Sequence, residues 1–158
     1  MNIRQGGDMS RPHGAQPMLL TQTAEYALRA MAVLAARWST GRVTSSQLAR
    51  DANIPSHYVS KVMRRLVVAG LVDARRGHHG GFRLARAPEE ITFMQVLDAV
   101  DFQSHEKHCA FGLGACDPDN PCILHPAYSA LQDCFFAWAE STTLVSAREQ
   151  GVDVLPAR

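Results

Sequence analysis

Residues Thr44 to Ala85 read TSSQLARDANIPSHYVSKVMRRLVVAGLVDARRGHHGGFRLA, and this stretch decides the fold. It opens on Thr44-Ser45-Ser46-Gln47, the capping-box pattern in which a Thr hydroxyl and a Gln side chain satisfy free amides of a helix's first turn. A short helix follows, with Leu48, Ala49 and Ala52 inward. Asn53 suits the tight turn after it, because Asn tolerates the left-handed backbone region. Pro55 and Ser56 open a second helix, where the missing proline amide would be unpaired anyway. Its apolar face is Val59, Val62, Met63, Leu66 and Val67, and Gly70 is the expected C-cap. The remaining face holds His57, Tyr58, Ser60, Lys61, Arg64 and Arg65. Leu71 to Arg75 and Gly81 to Ala85 then alternate as two strands around the loop Arg76-Gly77-His78-His79-Gly80. Two short amphipathic helices joined by a tight turn, the second one basic and followed at once by a hairpin, describe a winged helix-turn-helix.

Positive charge gathers in the same stretch. Arg42 to Arg86 holds nine basic residues against two acidic ones, a surplus of seven; Ala87 to Arg158 holds eleven acidic against three basic, a deficit of eight. The net charge of +1 conceals this division, which predicts that only the first half meets a polyanion. A helical hairpin with a solvated basic face is the alternative. The capping box, the turn residue and the charge surplus together favour DNA. Lys61, Arg64 and Arg65 are the expected phosphate contacts, and His57, Tyr58 and Ser60 the candidates for reading bases. Arg75, Arg76, His78 and His79 lie near the wing tip, in reach of the minor groove or backbone. For the two histidines a plain polar turn is the simpler reading.

Outward from this centre, residues 1–17 read as a disordered leader, with Met18 an alternative start. The leader has no apolar core, so it is no secretory signal, and no apolar run nears the ~18 residues of a membrane span. These features predict a cytoplasmic protein with no membrane partner, whose cysteines are thiols or metal ligands rather than disulfides. An apolar content of 46% is that of an ordinary globular chain. Thr23 to Arg37 is patterned as an amphipathic helix through Ala24, Ala27, Leu28, Met31, Leu34 and Ala35. Glu89 to Asp101 reads as another, and 18–101 is taken as the DNA-binding domain. A loop follows over 102–126, longer than structureless connections usually are unless they serve a function. A single helix is expected over 127–147, with Tyr128, Leu131, Phe135, Trp138, Thr142 and Val145 forming a heptad-like seam, then a flexible tail over 148–158. Little of its own domain is left to cover that helix, so it is read as a dimerisation helix, matching the two-fold symmetry of palindromic DNA sites. The fold class expected is mainly α with a small β-hairpin wing: a winged helix-turn-helix plus a long C-terminal dimerisation helix.

Three of the four cysteines, Cys109, Cys116 and Cys122, fall in the loop, separated by six and five residues, and His125 follows Cys122 after two more. The intervening Gly, Pro, Asp and Asn residues let the chain turn back so that ligands converge. Thiolates with an imidazole suit zinc, iron or an iron–sulfur cluster. Structural zinc favours closer cysteine pairs, and the wider spacings favour a cluster. Bare thiols without metal are the third reading. Cys134, on the final helix, reads as a packing residue, and His105 and His108 have no distinctive spacing.

These residues resemble the Rrf2 family of winged-helix transcriptional regulators. The likeness runs from Leu20 to about Val145 through TAEYAL (23–28), IPSHYV (54–59), LVVAGLV (66–72), RGHHGGFRLA (76–85), Ile91-Thr92 and VLDAV (96–100). It implies a homodimer that binds double-stranded promoter DNA, with a cluster loop ahead of its dimerisation helix. The three cysteines shared by cluster-binding members correspond to Cys109, Cys116 and Cys122. Members that hold a two-iron cluster take a histidine after the third cysteine as fourth ligand, and His125 stands there. Nitric-oxide-sensing members with a four-iron cluster use an acidic residue of the first helix, where this chain has Glu25 in place of the familiar Asp. The first cysteine gap is also a residue or two longer than the commonest patterns. A two-iron cluster is the first expectation and a four-iron cluster the alternative. The function expected is that of a repressor whose DNA affinity follows iron, redox state or nitric oxide through the cluster. The competing reading is a thiol-based or metabolite-sensing regulator without a cluster. No nucleotide-binding glycine loop or paired acid/base carboxylates mark an enzyme.

Overall fold

The computed structural model describes residues 20–77, 79–100, 111 and 117–149; His78, Cys109, Cys116, the leader and most of the tail lie outside them. Helix α1, Gln22–Ala36, starts one residue earlier than its periodicity suggests, because Thr21 caps it by accepting from the Ala24 amide at 3.2 Å. Helix α2, Ser45–Asp51, carries the full capping box between Thr44 and Gln47. Asn53 turns the chain with φ +49°, and α3, Ser56–Val68, follows with Pro55 as its N-cap. Gly70 takes φ +72° just past the end of α3.

The hairpin pairs β1, Val72–Arg75, with β2, Gly81–Leu84, antiparallel, with Val72 opposite Leu84 and Arg75 opposite Gly81. Val43 adds a third rung: its amide and carbonyl exchange hydrogen bonds with those of Phe82, both 2.8 Å. The wing is thereby tied to the residue preceding the α2 capping box. Below these elements lies one core, in which Met31 and Leu34 of α1, Leu48 of α2, Val59, Met63 and Leu66 of α3, and Leu84 of β2 are buried. Each such side chain contributes roughly 1.5–3 kcal/mol of burial, so the helix-turn-helix is held by ordinary apolar packing rather than by its polar face.

Two expected helices differ from their sequence reading. The helix expected over Glu89–Asp101 is a 3-10 turn, Pro88–Glu90, followed by α4, Phe93–Ala99, which opens on a second capping box between Thr92 and Gln95. The helix expected over 127–147 is two helices, α5, His125–Ser141, and α6, Leu144–Glu149. The break has a tertiary cause. Phe93 donates its amide to the Thr142 carbonyl at 2.9 Å, and Leu144 donates to the Ile91 carbonyl at 3.0 Å. Thr142 is therefore buried in extended backbone instead of continuing a seam, and α6 folds back against α1. Of the expected seam, Tyr128, Leu131, Phe135 and Trp138 fall on α5, with Tyr128 and Phe135 half-buried and Leu131 and Trp138 exposed; Leu124, the N-cap of α5, stands seven residues before Leu131 and is exposed as well. Ala139 is the single buried residue of α5 among those described.

Candidate nucleic-acid interface

Burial of Val59, Val62, Met63 and Leu66 fixes the roll of α3 and turns its other face to solvent. His57, Ser60, Lys61 and Arg64 are exposed on that face. A cleft of about 930 Å³ runs between α3 and the wing, lined by Thr44, Ser60, Arg64, Arg75 and Arg76 among others. Two arms of the fold thus bring cationic side chains to one groove from residues eleven or more apart in sequence. His79, at φ +71°, lies in the turn beyond the cleft and has partners of its own in the fold.

Two residues read from sequence as DNA contacts are engaged with the protein. Tyr58 is half-buried, with its hydroxyl 3.3 Å from Thr23 Oγ1 of α1 and its ring edge-on to Tyr26 at 5.2 Å. Lys61 Nζ sits 5.1 Å over the same ring, a cation–π arrangement. The Thr23 hydrogen bond, with the Lys61 and Arg65 charges nearby, holds the Tyr58 phenol below its ordinary pKa against the opposing effect of burial. Arg65 turns away from the cleft and donates through Nη1 to the Val100 carbonyl at 2.8 Å. Sequence spacing put both side chains on the polar face of α3, and only the tertiary fold shows what stands opposite them.

Other arginines set the wing rather than face a ligand. Arg42 was not singled out from sequence, yet its Nη1 donates to the Asp73 and Gly81 carbonyls, both at 3.1 Å, and so bridges the two strands of the hairpin. Arg83 pairs with Asp73 across the strands at 3.1 Å; both are exposed, so the pair contributes well under about 1 kcal/mol.

Cys122 and His125 share one turn at the start of α5: the His125 amide donates to the Cys122 carbonyl at 3.0 Å. Cys122 is half-buried, and His125 is the first residue of α5. Glu25 lies on α1, ion-paired with Arg29 at 3.5 Å and partly exposed. Among the described residues no three thiol, imidazole or carboxylate groups converge as a metal site would require. Two of the expected ligands, Cys109 and Cys116, fall outside that set.

The model of one protein family, Rrf2, described as an iron-dependent transcriptional regulator, matches residues 20–149. The chain belongs to the Rrf2 family. As an Rrf2 protein it is a DNA-binding transcriptional regulator and not an enzyme. It is 30% identical over 129 residues to an HTH-type transcriptional regulator of Aquifex aeolicus, covering 80% of this chain and 89% of that one. It is also 30% identical over 127 residues to the HTH-type transcriptional regulator IscR of Enterobacter sp., covering 80% and 77%. Among solved structures, IscR of T. potens aligns with a TM-score of 0.69 at 20% identity over 92% of this chain and 96% of that one. CymR, the global cysteine regulator of B. subtilis, aligns with a TM-score of 0.68 at 22% identity over 85% and 98%. These two likenesses establish the Rrf2 winged-helix fold. No helix among the described residues is long and apolar enough to cross a membrane.

Proposed function

We propose that the chain is a homodimeric repressor of promoter DNA whose affinity is set by an iron–sulfur cluster on Cys109, Cys116, Cys122 and His125. The observation that carries this reading is the presentation of Cys122 and His125 from a single turn at the head of α5. Soft thiolate and borderline imidazole donors fit iron, and the half-burial of Cys122 suits a centre shielded from bulk water. The remaining two thiols precede this turn in a Gly- and Pro-rich stretch of sequence, a composition that lets a chain turn back on itself. When bound, a cluster supplies a centre whose charge and integrity follow iron supply, oxygen or nitric oxide. His125 favours the two-iron form, and Glu25, with Arg29 as its present partner, is the alternative fourth ligand for a four-iron form.

The chain's own residues perform the rest. The exposed line Leu124, Leu131, Trp138 on α5 is the surface that a second copy would cover. The dimer places two α3 helices in successive major grooves, about 34 Å apart. Arg64 and Lys61 meet phosphates, His57 and Ser60 face base edges, and Arg75, Arg76 and the His78-His79 turn grip the flank. Tyr58 supports the reading helix from behind, through Thr23.

The test is anaerobic purification with measurement of iron, acid-labile sulfide and visible absorption. The expected result is a coloured protein whose band and iron are lost in Cys122→Ala. A colourless, iron-free preparation would replace the cluster with the thiol-based or metabolite-sensing reading.

A further inference from the structure

The recognition helix is fastened at two points. Near its N-terminal end Tyr58 bonds Thr23 of α1, and seven residues on, about 10 Å along the axis, Arg65 bonds the carbonyl of Val100. The second fastening differs in what lies behind it. Val100 is the C-cap of α4, and its carbonyl is one of the acceptors a helix end leaves unpaired. A guanidinium there also answers the negative end of the helix dipole. From Val100 the chain runs directly into the segment that carries Cys109 and Cys116, and it re-enters the described fold through Cys122 and α5. Helix α5 rests on α4, with Phe93 and Trp138 edge-to-face at 5.3 Å. Both ends of the cysteine segment are thus attached to the α4–α5 pair, and Arg65 adds a hydrogen bond to the apolar packing between this pair and the helix bearing Lys61 and Arg64.

We propose that Arg65 is a positioning residue: through its bond to Val100 it carries the state of the cysteine segment to the recognition helix. The inference rests on the reading that this segment controls DNA affinity, and it holds whether the segment bears a cluster or bare thiols. With α3 pinned at Tyr58, a shift of the α4 terminus moves the Arg65 end and re-aims Arg64 and Lys61 in the groove. Arg65 does this from the protein side and need not touch DNA.

A double-mutant cycle tests it. The duplex is one selected from random sequence by the wild-type protein, and all binding is measured without air. Cys122→Ala is made in the wild-type, Arg65→Met, Arg65→Gln and Arg65→Lys backgrounds. Met keeps the hydrocarbon stem, Gln offers a second, polar replacement should Met fail to fold, and Lys restores a cationic donor. The expected result is a change in Kd of about fivefold or more on Cys122→Ala with Arg or Lys at this position, and less than about twofold with Met or Gln. An equal change in all four backgrounds overturns the proposal, and so does no change in any. The visible spectrum of the wild-type protein separates this from the cluster reading. A colourless protein with a non-additive cycle removes the cluster and keeps Arg65 as the link; a coloured protein with an additive cycle does the reverse.

Discussion

Gly81 shows how a single residue sets the wing. Its φ of +132° belongs to glycine, and a Cβ built there would lie 2.6 Å from the Val43 carbonyl oxygen. That carbonyl accepts from the Phe82 amide, so the side chain would strike the rung that ties the wing to the domain. Gly81→Ala should lower stability by about 2 kcal/mol or more, read as a drop in the thermal midpoint, with weaker DNA binding; an unchanged midpoint would show that the backbone can yield. Tyr58 offers a second residue-level test. Because Thr23 holds its phenol below the ordinary value, the folded state favours tyrosinate. Its contribution to stability is absent at neutral pH and grows as pH rises through the folded pKa towards the unfolded one. Spectrophotometric titration should show Tyr58 titrating early in the wild type. In Thr23→Val that tyrosine should move upward; if it stays, the Thr23 bond is not the cause.

Elements were legible where their signals are local. The capping box, Asn53, Gly70 and the strand alternation all act within a few residues, so α2, α3 and the hairpin match their reading closely. Thr92 to Gln95 carries the same box pattern and marked the true start of α4, which periodicity alone placed at Glu89. The break between α5 and α6 carries a weaker local mark, Thr143, whose hydroxyl accepts from the Ser146 amide at the head of α6. The bonds that fix it link Ile91 and Phe93 to residues about fifty positions away, which the sequence does not show. The bond of Arg65 to Val100 was not legible for the same reason, since its partner lies thirty-five positions along the chain. For α5, the exposed seam has a direct consequence. Leu131→Glu sets two like charges at the centre of the proposed dimer face while leaving the core untouched. It should convert the dimer to a monomer in sedimentation or light scattering and weaken binding to a two-fold site by tenfold or more, about 1.4 kcal/mol. A variant that stays dimeric would place the interface elsewhere.

At the scale of the molecule, basic side chains gather along α3 and the wing, while Cys122 and His125 stand at the head of α5, which packs on α4. The charge asymmetry runs in the same order along the sequence, because like charges are grouped along the chain. Composition could not specify how one of these acts on the other. That depends on which helices the segment's two exits meet, and those exits meet α4 and α5. Allosteric coupling of the usual size, about 1–3 kcal/mol, would be enough to switch a promoter. The most direct measurement is the affinity of one duplex for the anaerobically prepared iron-loaded protein and for the same preparation after chelation. The two affinities should differ by about fivefold or more, with the difference abolished when Cys109, Cys116 and Cys122 are all alanine. Equal affinities for the loaded and stripped protein would contradict it.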